Sequence, residues 1–202
     1  MNRGRLIAFE GIDGCGKSTQ LARLAANLRG SGHEVVETCE PTRGPTGRRI
    51  REMARSGREL APAEELRWFV EDRRVHVAES IEPALGRGCL VLTDRYYLST
   101  VAYQGARGLD AQQILTDSED EFPVPDLVVL LRISPECALE RVHERGEVIE
   151  AVFERRDFQE RVAALFGEID RPYIERVAAD AEPDEVEALV AARVRARLDL
   201  AF

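Results

Sequence analysis

Short continuous apolar runs alternate with longer stretches of helical spacing along this 202-residue chain. Leu6-Ile7-Ala8-Phe9 reads as a buried strand, and Leu21, Leu24, Ala25 and Leu28 then recur at the 3.6-residue period of a helix. Glu34–Thr38 reads as a second strand, followed by a polar turn over residues 40–45 and a weakly apolar helix over 46–57. From Pro62 a long helical region carries Leu66, Phe69, Val70, Val77, Ile81 and Leu85 and ends at Gly86. Cys89–Thr93 and Leu127–Leu131 are the third and fourth strands. Runs this apolar suit strands covered on both faces, as in a parallel sheet. A helix starts at Pro135 with Ser134 as its cap, and Phe158, Val162, Leu165, Phe166 and Ile169 mark another that stops near Pro172. Tyr173–Ala179 accommodates a fifth strand or more helix, and we read it as strand; Val186, Leu189, Val190 and Val194 mark the last helix. Ser118-Glu119-Asp120-Glu121 reads as a solvated acidic loop. The pattern is α/β, a parallel five-stranded sheet flanked by helices. With no repeat or linker, residues 1–202 read as one domain.

Composition narrows the partners. A net charge of −9 argues against a general nucleic-acid binder, which needs a basic surface. No apolar stretch approaches the length of a membrane span and no secretory signal is visible, so the expected location is cytoplasmic. Cys15, Cys39, Cys89 and Cys137 have no metal-site spacing and read as reduced thiols; Cys15, in a loop rich in N–H groups at a helix start, fits either an oxidisable thiol or a small residue filling a tight loop. His33, His76 and His143 show no partner pattern and are expected at the surface.

The first chemical signal lies between the first strand and first helix. Gly11-Ile12-Asp13-Gly14-Cys15-Gly16-Lys17-Ser18 fits the phosphate-binding pattern G-x-x-x-x-G-K-[ST], and Thr19 continues into the helix. Lys17 is the only lysine among 28 Lys and Arg residues, so a compact ammonium stands where the pattern requires one. Backbone N–H groups of such a loop cradle phosphate oxygens, the lysine reaches the transferring phosphate, and the serine hydroxyl takes a place on Mg²⁺. In open α/β sheets the ligand crevice lies at the carboxyl ends of the strands. The third strand ends at Asp94-Arg95-Tyr96, which makes Asp94 a candidate for the metal. Arg43, beyond the second strand, and Arg95 are expected to converge as a clamp for a second phosphate. A second anion seat suggests a phosphorylated acceptor, not water. Phe69 and Arg73 are four apart on one helix face, a plate and a fork suited to a base; taken alone, the pair also fits a core aromatic beside a surface arginine.

These motifs occur in the order and spacing of the thymidylate kinases, which the chain resembles over nearly its whole length. The resemblance rests on Phe9–Thr19, Glu40-Pro41-Thr42-Arg43, Phe69 with Arg73, Asp94-Arg95-Tyr96 with Leu98-Ser99-Thr100, and Ala102-Tyr103-Gln104-Gly105. Pro125-Asp126-Leu127, Phe153-Glu154 and Phe158-Gln159-Glu160-Arg161 extend it. It implies a P-loop fold of the nucleoside monophosphate kinase type, a homodimer, and Mg²⁺-dependent transfer from ATP to dTMP. Carried over position by position, Lys17 and Ser18 handle donor phosphates and metal, Asp13 meets the sugar 3′-hydroxyl, and Arg43 and Arg95 bind the dTMP phosphate. Phe69 stacks on thymine, Arg73 bonds its O4, Thr100 and Gln104 lie near the base, and Tyr103 lies near C2′. The departure is the lid, residues 141–156. Gly14 stands where some members carry a loop arginine, and Val152 where many carry a lid arginine. Arg141, Arg145, Arg155 and Arg156 are the remaining lid cations, with Arg145, Arg155 or Arg156 expected at the transition state; each equally fits a solvated helix arginine paired with Glu144 or Glu154. A guanine-gated switch is excluded, because its N-K-x-D motif needs a second lysine; an ATP-gated assembly protein is the remaining rival of another class.

Overall fold

The computed structural model describes residues 3–56, 60–143 and 149–202, with side chains except at 142, 143 and 149–155. Five parallel strands form one sheet: β1 (Arg5–Glu10), β2 (Val35–Cys39), β3 (Leu90–Asp94), β4 (Leu127–Arg132) and β5 (Ile174–Ala178), in the order β2-β3-β1-β4-β5. Tyr173–Ala179 is therefore strand at its centre. Leu6, Ile7, Ala8 and Phe9 are at most 1 % exposed, because β1 is the middle strand and is covered on both faces. Each large side chain buried there contributes about 1.5–3 kcal/mol.

The helices are α1 (Lys17–Gly30), α2 (Pro45–Ser56), α3 (Pro62–His76), α4 (Glu82–Gly86), α5 (Tyr97–Ala106), α6 (Ala111–Glu121), α7 (Pro135–His143), α8 (Ile149–Glu168) and α9 (Pro183–Leu198). A π-helical turn, Val77–Ile81, joins α3 to α4 and keeps the long helical region continuous to Gly86. Ser134 Oγ accepts from Cys137 N at 3.2 Å, the cap expected of it.

The acidic run does not form a loop. Ser118–Glu121 is the last turn of α6, where Ser118 is buried beside Ile114 and Leu115, and Glu119 accepts from Arg171 Nε at 2.8 Å and from Tyr173 Oη at 2.6 Å. Those partners hold the Glu119 carboxyl below its ordinary range despite burial, which acts the other way.

The register positions the site. Phe9 pairs with Asp94 and Asp94 with Cys39, so β1, β3 and β2 end side by side. The segments leaving them, Glu10–Gly16, Arg95–Tyr96 and Glu40–Gly44, emerge at one rim.

Candidate active site

The phosphate loop begins where β1 stops. Gly11 has φ +139°, and a Cβ there would sit 2.6 Å from the Leu131 carbonyl oxygen and 2.8 Å from Cys15 Sγ. Gly16, at φ +95°, turns the chain into α1, whose first turn carries no acidic residue against the exposed N–H groups. Cys15 is a buried free cysteine beneath the loop. Lys17 is also buried; its Nζ donates to Gly11 O at 3.1 Å and Ile12 O at 2.9 Å. Ser18 Oγ donates to Asp94 Oδ2, bringing the two candidate metal ligands into direct contact. A hydroxyl and a carboxylate are hard oxygen donors that fit Mg²⁺, a cation that takes few protein ligands beside phosphates and waters. Ser18 and Thr19 are exposed at the start of α1.

Arg95 is the centre of the rim. Its φ is +70°, an uncommon conformation for a residue with a side chain. Its Nη2 donates to Asp13 Oδ1 at 2.5 Å and Tyr103 Oη at 3.3 Å, and its Nη1 to Ser99 Oγ at 2.8 Å and Gly11 O at 3.3 Å. Tyr103 Oη in turn donates to Asp13 Oδ2 at 2.9 Å. Burial would raise the Asp13 carboxyl, but Arg95 and Lys17 outweigh it and hold it at about 2. Asp13, Arg95 and Tyr103 are thus brought together.

Beneath Arg95 lies Glu10, wholly buried at the end of β1. It accepts from Tyr96 N at 2.9 Å, Ser99 N at 3.2 Å and Ser99 Oγ at 2.5 Å. Burial pushes its carboxyl up to about 7, against these bonds and the Arg95 charge. Reading the motif as a phosphate loop passes over this residue, although a glutamate ending a central apolar strand is itself a signal of a buried, partnered charge.

A cavity of about 280 Å³ opens beside Arg95, lined by Phe69, Arg73, Thr100, Tyr103 and Gln104 together with Asp13. Larger cavities flank it, but this one is lined by residues with buried donors and acceptors that have no hydrogen-bond partner among the described residues: Arg73 Nη1, Gln104 Oε1, Tyr96 Oη and Glu65 Oε2. Arg73 is not a surface residue. At 1 % exposure it donates through Nε and Nη2 to Glu40 Oε2 at 2.9 and 2.7 Å, and through Nη2 to Thr100 Oγ1 at 2.8 Å. His76 is likewise buried, its Nδ1 2.9 Å from Glu40 Oε1 and its Nε2 2.7 Å from Thr38 Oγ1. Facing a carboxylate requires Nδ1 to carry the proton. Burial works to raise the Glu40 carboxyl, and Arg73 and His76 together bring it below its ordinary range. Gln104 Nε2 donates to Glu65 Oε1 at 3.0 Å, and Arg107 Nη1 lies 2.8 Å from Glu65 Oε2 as an ion pair, off the line of a hydrogen bond. Burial raises the Glu65 carboxyl, against the pull of Arg107 and Gln104.

Arg43, expected to share a clamp with Arg95, is exposed and lines a groove of about 910 Å³ with Ser18 and Asp94, while Arg51, like Arg73, lines the pocket that holds Arg95. The Arg51 guanidinium donates to the Pro41 and Thr42 carbonyls, which folds α2 over the turn after β2. Spacing gave a signal for it: Arg48, Arg51 and Arg55 recur at three and four residues along α2. In the lid, Arg141 Nη1 donates to Ala179 O at 3.0 Å, and Arg156 is paired with Glu136 at 2.5 Å and Glu160 at 3.0 Å. Arg145, and the side chains of Arg155 and His143, lie outside the described residues.

The glycine loop and Lys17 thus lie on one side of a rim whose other side is the pocket lined by Arg95, Arg73 and Phe69. The family model for thymidylate kinase matches residues 9–191. A thymidylate kinase of Akkermansia muciniphila is 48 % identical over 200 residues, covering 99 % of this chain and 94 % of its own length. One from Desulfotalea psychrophila is 43 % identical over 202 residues, with 99 % and 98 % covered. One from Xanthomonas euvesicatoria is 43 % identical over 183 residues, with 91 % and 80 % covered. A phosphate loop, an Asp-Arg-Tyr turn in register with it and a base-sized pocket between them, matched over nearly the full chain, place this protein in the thymidylate kinase family.

Proposed function

We propose that this chain transfers the γ-phosphoryl group of ATP to dTMP, giving ADP and dTDP, with Mg²⁺. The observation that carries the reading is the 280 Å³ pocket, which joins Phe69, a buried Arg73 N–H and Arg95 beside the glycine loop. A water-using ATPase has no need of such a pocket.

The chemistry needs no general base. The second pKa of a phosphate monoester is about 6, so the acceptor is largely dianionic at neutral pH. The work is to align two mutually repelling anions and neutralise the charge that builds between them. Lys17 exchanges the Gly11 and Ile12 carbonyls for donor phosphate oxygens. Arg95, with Arg51, holds the acceptor phosphate, and Asp13 with Tyr103 fixes the Arg95 guanidinium and meets the sugar. Phe69 stacks on the base and Arg73 Nη1 donates to its 4-carbonyl, with Thr100 and Gln104 alongside. Ser18 and Asp94 hold Mg²⁺, which when bound supplies positive charge to the phosphates. Arg43, facing Ser18 and Asp94, serves the donor side. Residues 141–156 form the lid over the donor, within a single domain spanning the chain, and Arg141, Arg145, Arg155 and Arg156 supply its positive charge. A cytoplasmic homodimer is the form we expect.

A coupled ADP-release assay with dTMP, dUMP, dCMP, dGMP and no acceptor tests this. Turnover should require an acceptor and be greatest with dTMP. ADP release independent of acceptor would favour an ATP-gated switch and overturn the reading.

A further inference from the structure

Glu65 stands in the first turn of α3, against the base side of the acceptor pocket, and takes no part in phosphoryl transfer. Its partner Gln104 is 1 % exposed, so the orientation of that amide cannot be settled by water. A carboxylate accepts hydrogen bonds and donates none. Gln104 must therefore turn its NH₂ toward Glu65 Oε1, 3.0 Å away, and its oxygen the other way. Arg107, 2.8 Å from Glu65 Oε2, keeps the carboxylate in place. Gln104 Oε1 is left buried and, among the described residues, without a partner, as is Arg73 Nη1. Arg73 Nη2 is anchored on Thr100, one helical turn before Gln104 on the same face of α5. Two side chains lining the pocket thus keep an unpartnered buried donor and an unpartnered buried acceptor.

We infer that Glu65 is a specificity-determining positioning residue: it locks the Gln104 amide with Oε1 toward the pocket, so the site accepts a ring carrying N3–H beside a 4-carbonyl. This rests on the acceptor being a pyrimidine nucleotide, as proposed above. A cytosine-type edge reverses both atoms, with an acceptor at N3 and a donor at position 4. Against the locked amide it faces oxygen with a lone pair, and against Arg73 it faces N–H with N–H. Sites built on hydrogen bonds reject the wrong edge because their own buried groups stay unpaired.

The test is Glu65→Gln, assayed at pH 8 with dTMP and dCMP. Arg107 retains the oxygen of the new amide, whose NH₂ then faces Gln104 and demands an acceptor. Gln104 turns over and offers Nε2 to N3. The ratio of kcat/KM for dTMP over dCMP should fall by about 10-fold or more, with KM rising for dTMP and falling for dCMP. Glu65→Ala frees the amide without reversing it, so its ratio should fall by less; it also carries the test should the first variant not fold. An unchanged ratio in the folded variant, or equal loss on both acceptors, would overturn the inference and leave Glu65 a structural residue. A wild-type enzyme with no preference for dTMP would defeat the acceptor assignment itself, and the inference with it.

Discussion

Replacing Glu10 by glutamine should make the protein more stable and slower. Burial raises the Glu10 carboxyl from 4.5 to about 7. Between those values the folded state retains a proton that the unfolded chain has released. Stability therefore falls as pH rises through that window. At about 1.4 kcal/mol per factor of ten, the full loss by pH 8 is about 3 kcal/mol. The groups facing Glu10 are the Tyr96 and Ser99 N–H, the Ser99 hydroxyl and the Arg95 charge; all favour the anion, and burial outweighs them. The glutamine side chain keeps an oxygen for the two backbone donors but carries no charge into the interior. Urea unfolding at pH 5, 6, 7 and 8 should give stabilities within about 1 kcal/mol at pH 5 and a gap opening to about 3 kcal/mol in favour of Glu10→Gln at pH 8. The catalytic cost follows from Ser99. Its Oγ donates to Glu10 and accepts from Arg95 Nη1; a glutamine NH₂ pointing at it removes the acceptor for its own proton and loosens Arg95. kcat should fall at pH 8 with little change in KM for ATP. Parallel stability curves for the two proteins across this range would refute the reasoning.

Lys17→Ala removes the ammonium that reaches the donor phosphates, and single-turnover transfer should drop at least about 100-fold. Arg51→Ala should raise KM for dTMP about 10-fold or more, whereas Arg43→Ala, on the groove side, should leave it within about twofold; steady-state kinetics with both variants decides between the two arginines. Asp94→Asn weakens the hard-oxygen pair with Ser18, so the Mg²⁺ concentration for half-maximal rate should rise, as a metal titration of kcat would record.

The sheet and the phosphate loop were legible because each is a local pattern: an apolar run of four or five residues, or eight residues of fixed spacing. What the sequence concealed was long-range pairing. Arg73 looks like half of a surface pair until Glu40, 33 positions earlier, folds against it. His76 has no partner within its own helix and finds two on the strand-end side, Thr38 and Glu40. The run Ser118–Glu121 looks solvated because three of its four residues are acidic, yet Ser118 continues the buried face of Ile114 and Leu115. Arg51 was hidden for a further reason. Its place in the pocket depends on α2 closing over the turn after β2, which no periodicity reports.

These concealed features lie almost entirely at the rim where β2, β3 and β1 end, and they share an energetic character. Taking Arg73 and Glu40 out of water costs several kcal/mol for each ion, and their bonds offset this only because His76, Thr38 and Thr100 satisfy the remaining groups. Arg73 Nη1, with both its N–H donors, is left over among the described residues, at a cost of about 1–3 kcal/mol for each. Arg95 adds a positive φ, and Glu10 adds a carboxyl that burial disfavours in its charged form. A fold seeking stability alone would remove each of them. The apolar centre of the sheet, with Leu6 to Phe9 and Leu127 to Val129 closed from solvent, supplies the surplus that lets them persist. Because the unpaired Arg73 N–H and the Gln104 oxygen are already oriented, a matching ring loses little freedom on entering and relieves a penalty the protein already bears. Affinity for the acceptor is in this sense stored in the instability of its pocket.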